Sequence, residues 1–562
     1  MARTIGLGIQ DFKKIVENHY FYIDKTMFIK QWWESGDDVT LITRPRRFGK
    51  TLALSMLDYF FSVKYKQEQA LFSNFSIWQE PAFQRLQGTY PVISLSFASI
   101  KETNFKNARD KICQLIASEY ARSTFLLEAG VLSEQEKATF CRKSYDMGDV
   151  DATLSLNQLC EYLCRYYGKK AIILLDEYDT PMQEAYVYGY WKELADFIRS
   201  LFNASFKTNP YLERAVLTGI TRISKESLFS DLNNLAVITT TSSLYATAFG
   251  FTEPEVFAAM DEFGLTEKQE ARRWYDGFIF GDCKNIYNPW SVLNYLREKK
   301  LAAYWVHTSS NQLIGKLIRE GSADVKIVME DLLHGRAFYT QLDEQIVFDQ
   351  LDYKTSAVWS LLLASGYLRV QQAVTDPESG KQTYELYLTN MEVRLMFVQM
   401  IEGWFKEYTP AYNAFIKALL CHDIDAMNEY MNCVSEEIFS SFDTGTSPSK
   451  KSQPERFYHG FVLGLTVELS KRYVITSNRE SGFGRYDIML TPKKEGDDAY
   501  IIEFKVFHPK KERSLADTVK TALAQIEAKK YDAELIKKGI PPARIYKYGF
   551  AFKGKHIQIG SM

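Results

Sequence analysis

In the first 245 residues, short segments with the apolar pattern of a β-strand alternate with segments that have the apolar pattern of a helix. Short β-rich runs occur at Val39–Thr43, Val92–Phe97, Ala171–Leu175 and Ala215–Leu217, and segments with a helical pattern lie between them. The run Ala171–Leu175 is apolar throughout, which is typical of a strand buried on both faces. The alternation predicts an α/β fold built on a parallel sheet.

From about residue 246 the pattern becomes helical. Asn288 followed by Pro289 is typical of an N-cap with proline at the first helical position, and predicts a helix over Trp290–Arg297. A helix over Ala357–Ser365 and two strand-like pieces within 367–388 come next. A helix followed by a hairpin predicts a winged helix.

The last part of the chain forms a separate pattern. Residues 444–454 are rich in Ser, Thr, Pro and Lys and predict a linker. After it we expect a helix, three strands, a second helix and a last strand within 450–562. The polar, glycine-rich segment Ser477–Arg485 is expected to be a loop, which either embraces a phosphate backbone or forms a long hairpin turn.

Composition narrows the class of protein. The 562 residues correspond to three or four domains of about 150 residues, with the hydrophobic content of a folded protein, 46%. Lys and Arg number 68 against 70 Asp and Glu, so a nucleic-acid partner would need a local basic patch. No apolar run approaches the ~18 residues of a membrane span, and the seven cysteines are scattered. We therefore expect a cytoplasmic protein with reduced thiols and no membrane segment.

Residues 44–51 match the phosphate-binding P-loop pattern G-x-x-x-x-G-K-[ST], except that Arg44 replaces the first glycine. Gly49 lets the backbone approach the phosphates, Lys50 reaches the β- and γ-phosphates, and the Thr51 hydroxyl binds Mg²⁺. The arginines either add charge around the triphosphate or face another subunit. The residues predicted to bind nucleotide in this loop are Arg44, Arg46, Arg47, Phe48, Gly49, Lys50 and Thr51.

An acidic pair follows the apolar run that ends at residue 175. Asp176 is predicted to hold Mg²⁺, and Glu177 to orient and deprotonate the attacking water as a catalytic residue. Asp179 is expected to cap the next helix. At the end of a later strand, Thr218 is predicted to sense the γ-phosphate, and Arg222 is either an arginine finger or a surface residue.

The motifs in combination resemble the AAA-ATPase-like family of prokaryotic proteins. The segments that carry the resemblance are Tyr22–Thr26, Arg44–Thr51, Asp176–Asp179, Gly219–Ser224, Trp274–Gly277 and Asn288–Ser291. The resemblance implies ATP and Mg²⁺ as ligands, and its members form the P-loop with an arginine as here. It also implies a P-loop domain at 1–245, a helical lid at 246–345, a winged-helix-like and helical region at 346–443, and a PD-(D/E)XK nuclease-like domain at 450–562.

The predicted strands of the last domain carry Asp487 on one strand and Glu503 and Lys505 on the next. Residues i and i+2 of a strand share a face, so Glu503 and Lys505 point the same way. If the two strands are neighbours, Asp487 and Glu503 converge on one spot. The two carboxylates suit Mg²⁺, and Lys505 would position a hydroxide. Gln525 on the following helix matches a further catalytic position of the nuclease family. Glu455 either matches its first-helix acid or completes a capping box with Ser452.

Three functions are compatible with these motifs. In the first, ATP binding or hydrolysis gates cleavage of nucleic acid, with DNA the expected substrate. In the second, the nuclease fold is inactive and the protein is a nucleotide-switched module that binds nucleic acid. In the third, the protein is a signalling NTPase whose partner is another protein. A homo-oligomer is compatible with all three.

Overall fold

The computed structural model contains two compact units, formed by residues 1–320 with 331–396 and by residues 321–330 with 397–562. The residues that it describes are 3–222, 229, 232–305, 314–315, 317–318, 323–333, 335–342, 355–377, 380–406, 412–442, 469, 472–481, 484–509, 512–553 and 556–562. Within these ranges, no helix combines the length and the apolar character needed to cross a lipid bilayer.

The first unit contains a five-stranded parallel sheet in the order β2–β3–β4–β1–β5. Its strands are β1 (Val39–Thr43), β2 (Val92–Ser96), β3 (Ala171–Asp176), β4 (Leu212–Gly219) and β5 (Leu235–Ile238). The central strands β1 and β3 are buried along their whole length, as their apolar sequences predict. The prediction of a parallel α/β sheet is confirmed. Because all five strands run the same way, the segments after β1, β3 and β4 meet at one edge.

Helices surround this sheet, and several begin or end at the residues that the local chemistry favours. The helix Lys50–Phe61 begins after Gly49, whose φ is 83°, and the helix Asp149–Tyr167 ends at Gly168 with φ 65°. The α-helices around the sheet are Phe12–Glu17, Met27–Ser35, Lys50–Phe61, Pro81–Gln84, Phe105–Arg122, Glu134–Cys141, Asp149–Tyr167, Thr180–Tyr188 and Trp191–Phe202. A π-helical turn lies at Asn203–Lys207, and 3-10 turns lie at Val63–Tyr65, Gln69–Phe72, Ser76–Gln79 and Thr124–Leu127.

The region after β5 combines a small sheet with three helices. The sheet has the order β6–β8–β7, from β6 (Phe251–Thr252), β7 (Phe278–Phe280) and β8 (Cys283–Tyr287). The helices are Glu253–Phe263, Lys268–Tyr275 and Pro289–Glu298. Asn288 caps the last helix, because its Oδ1 accepts the N–H groups of the first turn, so the predicted helix start is confirmed.

A helix and a hairpin complete the first unit. The helix Thr355–Ala364 precedes β10 (Leu368–Thr375) and β11 (Gln382–Leu388), and β9 (Phe338–Thr340) adds a third strand in the order β10–β11–β9. The predicted helix and hairpin are present, and their identity as a winged helix stays a prediction. Two further helices include residues of both units, Ala323–Leu333 and Met391–Lys406.

The second unit contains a mixed five-stranded sheet in the order β12–β13–β14–β15–β16. Its β14–β15 pair is parallel and the other pairs are antiparallel. The strands are β12 (Tyr473–Ser481), β13 (Gly484–Pro492), β14 (Ala499–Val506), β15 (Ile545–Lys553) and β16 (His556–Ser561). The helices are Tyr412–Leu420, Ile424–Phe442, Leu515–Lys529 and Ala533–Lys537, with a 3-10 turn at Pro542–Arg544.

Both faces of this sheet are covered. Ile488, Ile502 and other residues of one face pack with the helices Tyr412–Leu420 and Ile424–Phe442. Alternate residues such as Met489 and Ile501 pack on the other face with the helix Leu515–Lys529. The helices within 412–442 therefore share a core with the sheet, whereas the sequence grouped them with the winged-helix-like region.

Two further expectations for this unit have different outcomes. The segment 477–485 matches the second of its two expected alternatives, because β12 and β13 run through it and pair up to Ser481 and Gly484, so it forms the outer part of a long hairpin. The predicted linker at 444–454 and Glu455 lie outside the described residues.

Candidate functional site

The edge of the parallel sheet where β1, β3 and β4 end adjoins a cavity of about 480 Å³. One part of its lining is polar and comes from residues 46–51 and from Glu177. The other part contains Ile9, Phe21 and Leu293, from the N-terminal segment and the helix Pro289–Glu298. The cavity is therefore lined by both charged and apolar side chains, as a nucleotide requires.

The loop before the helix Lys50–Phe61 is curled around the ammonium group of Lys50. Its Nζ donates to the carbonyl oxygens of Arg44, at 2.8 Å, and Pro45, at 2.9 Å. Burial lowers the pKa of Lys50 to about 8. Gly49 has φ 83°, and no atom lies within 4 Å of the place where a Cβ would stand, so the backbone is open to a ligand there. Gly49, Lys50 and Thr51 all line the cavity.

The side chain of Arg44, which replaces the first glycine of the pattern, contacts other parts of the protein. Its guanidinium donates to the carbonyl oxygens of Thr239 and Leu244 and packs over the ring of Phe280, 4.5 Å from the centroid. The side chain is fully buried, and burial lowers its pKa to about 9. Arg44 thus holds the loop to the segment after β5, and its guanidinium lies outside the cavity, contrary to the expectation that it contacts the triphosphate.

The next three residues line the cavity, as expected. The guanidinium of Arg47 lies 4.4 Å from the ring centroid of Trp290, and Arg47 has a left-handed backbone with φ 66°. Phe48 is buried, and its ring packs against Phe278 at 4.7 Å. Arg46 is half-buried, and its backbone makes contacts that are described below.

Asp176, at the end of β3, connects the loop to β4. Its Oδ2 accepts from the Thr51 hydroxyl at 2.6 Å, and its Oδ1 accepts from the Thr218 hydroxyl at 2.5 Å. Burial raises the pKa of Asp176, and the two hydrogen bonds oppose that shift. The hydroxyl and the carboxylate predicted to hold Mg²⁺ are therefore side by side, and their donor chemistry fits this ion.

Glu177 follows with an unusual backbone. Its φ is 51°, a left-handed conformation that costs a residue with a Cβ about 1 kcal/mol or more. Its side chain lines the cavity, and Oε2 accepts from the Thr180 hydroxyl at 3.0 Å. Glu177 thus combines a strained backbone at the end of a buried strand with a carboxylate that faces a cavity, and this makes it a good candidate for a general base.

Asp179 and Arg222 lie elsewhere than the motif implies. Asp179 occupies the N-cap position of the next helix but makes no capping bond there. Instead its buried carboxylate accepts the backbone N–H groups of Ile220 and Thr221 and the Thr221 hydroxyl. It therefore fixes the segment after β4. Arg222 lies at the end of this segment, half-buried and outside the cavity lining, next to residues that are not described.

Sequence reasoning missed some residues of the cavity. Lys101 comes from the segment after β2, Lys25 from the N-terminal segment, and Trp290 from the helix Pro289–Glu298. Lys25 donates to Thr247 O and to Glu255, so its charge is already paired. Lys25 and Trp290 lie in segments that carried the family resemblance, which was the signal available for them. Nothing in the sequence around Lys101 indicated a site.

The second unit brings the predicted nuclease residues together. The ladder between β13 and β14 pairs Ile488 with Ile502, which puts Asp487 beside Glu503 on the same face. The Phe504 N–H donates to Asp487 Oδ2 at 2.7 Å. The predicted adjacency of the two strands is confirmed.

Glu503 is almost fully buried, with 2% of its surface exposed. Its Oε1 accepts from the Gln525 amide and lies 3.5 Å from Lys505 Nζ. Its Oε2 is buried and has no hydrogen-bond partner among the residues that the structure describes. Burial, helped by the charge of Asp487, raises the pKa of Glu503 to about 8.

This centre fits a divalent cation with few protein ligands. Two carboxylates and one lysine converge, and the unpartnered Oε2 of Glu503 is a free oxygen ligand. Within the described ranges no three His, Cys, Asp or Glu side chains cluster as a complete metal site. Such a centre suits Mg²⁺, which keeps waters and substrate oxygens among its ligands.

Comparison with known proteins agrees with these geometries. Residues 6–229 match a family model described as "Predicted AAA-ATPase", and residues 453–562 match the PD-(D/E)XK nuclease superfamily. A protein of Azotobacter chroococcum mcd 1, described as an uncharacterized protein in the vnfD 5' region, is 27% identical over 527 residues. The match covers 90% of this chain and 89% of that protein. The chain thus contains an AAA-ATPase-like region and, at residues 453–562, a domain of the PD-(D/E)XK nuclease superfamily.

Proposed function

We propose that this protein hydrolyses ATP with Mg²⁺ and couples its nucleotide state to metal-dependent cleavage of nucleic-acid phosphodiester bonds. The observation that carries the proposal is that two separate groups of polar side chains in one chain have the composition that ATP hydrolysis and phosphodiester cleavage require. Glu177 lines a cavity with the P-loop, and Glu503 has a buried free oxygen beside Asp487 and Lys505.

For ATP hydrolysis, the P-loop and Glu177 in the cavity lining act together with Asp176 and Thr218 at the ends of β3 and β4. The N–H groups at the start of the helix Lys50–Phe61 and the Lys50 ammonium bind the phosphates. Thr51 and Asp176 would hold Mg²⁺, which would neutralise negative charge on the phosphates. Glu177 orients water and takes its proton, and Thr218 links Asp176 to the end of β4.

For phosphodiester cleavage, Asp487 and Glu503 would hold a cation, which would lower the pKa of a water molecule and offset charge on the phosphate. Lys505, beside Glu503, stabilises the attacking hydroxide by its positive charge. Gln525 donates to Oε1 of Glu503 and so leaves Oε2 directed to the cation. Both the carboxylates and the lysine stand on adjacent strands of one sheet, which keeps their spacing fixed.

The proposal extends to partners and compartment. A nuclease superfamily domain implies a nucleic-acid partner, and we propose DNA. A formal charge of -2 means that the DNA is bound by a local surface rather than by the overall charge. Dependence on ATP and seven free cysteines suit the cytoplasm, and a homo-oligomer would bring arginines of one copy to the nucleotide of another.

The test compares ATP hydrolysis and cleavage in the same samples. Labelled single- and double-stranded DNA and RNA are incubated with Mg²⁺ or Mn²⁺, with and without ATP, using Lys50→Ala, Glu503→Gln and a control, Glu534→Gln, on an exposed helix. We expect ATP-stimulated cleavage of DNA that both site variants lose and the control keeps. ATP hydrolysis without cleavage of any substrate would refute the nuclease half and favour the binding-switch alternative.

A further inference from the structure

The carbonyl oxygen of Arg46, in the middle of the P-loop, accepts two side-chain hydrogen bonds. Trp305 donates its indole N–H at 3.1 Å, and the Asn288 amide donates at 3.4 Å. Both residues are far from the loop in sequence, by 259 and 242 positions. Both lie behind the loop, outside the lining of the cavity. A single carbonyl group is thus held from its outer side by two donors.

Holding this carbonyl determines where the next N–H group points. In a trans peptide the carbonyl of one residue and the N–H of the next point in opposite directions. With the Arg46 carbonyl fixed toward Trp305, the N–H of Arg47 faces the cavity side of the loop. The left-handed φ of Arg47, 66°, then turns the chain so that successive N–H groups form a concave anion site. Loss of the outer hydrogen bonds would free this peptide to rotate.

Glu392 fixes Trp305 and the helix that carries Asn288. Its carboxylate is fully buried and accepts from the Trp305 backbone N–H at 2.5 Å and from the Ser291 hydroxyl at 2.8 Å. The Trp305 ring also packs against Tyr367, with centroids 5.4 Å apart. Glu392 lies in the first turn of the helix Met391–Lys406, where the helix dipole favours a negative charge.

We propose that Asn288, Trp305 and Glu392 are positioning residues of the nucleotide site. Asn288 and Trp305 orient the peptide between Arg46 and Arg47 for the triphosphate, and Glu392 holds Trp305 in place. The inference rests on the proposed function to the extent that the anion is ATP. Glu392 lies in the first turn of the helix Met391–Lys406, which includes residues of both units, so we expect a change at Glu392 to be felt along this helix.

The experiment measures ATP binding and turnover for pairs of matched variants. Trp305→Phe removes the indole donor and keeps a ring, and its control is Trp32→Phe, which removes a buried indole bond to the Thr40 hydroxyl. We expect Trp305→Phe to raise the dissociation constant and the KM for ATP about tenfold, the effect of losing one well-placed hydrogen bond to the loop. The kcat should stay within about threefold, because Glu177 is untouched, and Trp32→Phe should bind ATP as the wild type does.

A second pair tests the buried carboxylate. Glu392→Gln loses one of its two acceptor sites, whereas Glu385→Gln, the control, changes a buried carboxylate that accepts from Tyr339 and Tyr387. Hydrogen exchange in residues 391–406 should respond to ATP in the wild type and in Glu385→Gln, and should no longer respond in Glu392→Gln.

Two results would overturn the inference: ATP affinity unchanged in Trp305→Phe, or an equal loss of affinity in Trp305→Phe and Trp32→Phe. A wild-type protein that fails to bind ATP would instead refute the proposed function. The positioning role would then be decided with inorganic triphosphate, which the loop alone can bind, and equal affinities of the wild type and Trp305→Phe would refute it.

Discussion

Glu503 should release a proton when a divalent cation binds beside Asp487. Its pKa of about 8, against an ordinary value of 4.5, means that the carboxyl group is protonated at pH 7 in the metal-free protein. A cation needs the carboxylate, so it must displace this proton. Between pH 5 and 8 the affinity for Mn²⁺ should therefore rise about tenfold per pH unit, and level off above pH 8. Cleavage should follow the same profile.

The same shift determines how stability depends on pH. Because the pKa of Glu503 is raised on folding, the folded protein holds more protons than the unfolded chain between about pH 4.5 and 8. The metal-free second unit should thus lose stability as pH rises through this window. At 1.36 kcal/mol per unit of pKa, the loss is at most on the order of 5 kcal/mol. Glu503→Gln has no proton to lose and should show no such dependence.

Two measurements check this reasoning. Calorimetric titration with Mn²⁺ at pH 6, 7 and 8, in buffers of different ionisation enthalpy, counts the protons released. Because half of the Glu503 carboxyl groups are still protonated at pH 8, binding should be about 50-fold tighter at pH 8 than at pH 6. Thermal unfolding from pH 5 to 9 compares Glu503→Gln with the wild type and with Glu534→Gln. Mn²⁺ binding that is independent of pH and releases no proton would refute the assignment of a protonated Glu503.

Other substitutions test the remaining centres. Glu177→Gln should reduce the rate of phosphate release from ATP at least 100-fold and leave ATP affinity within about threefold, and full activity would exclude Glu177 as the base. Asp179→Ala should lower the free energy of unfolding by about 3 kcal/mol or more, because three donors of Ile220 and Thr221 lose a buried carboxylate; an unchanged melting temperature would contradict this. Lys505→Met should abolish cleavage and retain Mn²⁺ binding, whereas retained cleavage would remove Lys505 from the mechanism.

The parts of both sites that follow from regular structure could be predicted from the sequence. Parallel strands end at one edge, so the apolar runs before Thr51, Asp176 and Thr218 were enough to expect these residues together. The period of two along a strand likewise predicted that Asp487 and Glu503 share a face. In each case the information is local, because a short run of apolar residues defines the strand and the polar residue stands at its end or within it.

Contacts between distant segments could not be predicted in this way. A loop pattern indicates that Arg44 is charged, but not that carbonyl groups of residues 239 and 244 surround it. The carboxylate of Asp179 could serve its own helix or the segment after β4, and only the fold decides between them. Strand β5 (Leu235–Ile238) was not predicted either. The polar sequence of 477–485 predicts a loop, although the segment is part of the hairpin β12–β13. Strand β13 pairs with β14 only from Ile488 onward, so the part of the hairpin before Ile488 needs no apolar face.

The shared core of the second unit limits how the nuclease domain can be separated from the rest of the chain. The family match begins at residue 453, but Phe415, Leu419 and Met431 from preceding helices cover one face of the sheet. A fragment that begins at 453 would expose the apolar residues under these helices and should aggregate. A fragment that begins near 412 would keep them covered. Gene fusions or domain exchanges that transfer this nuclease domain should therefore include the two helices within 412–442, because the folding unit is larger than the family match at 453–562.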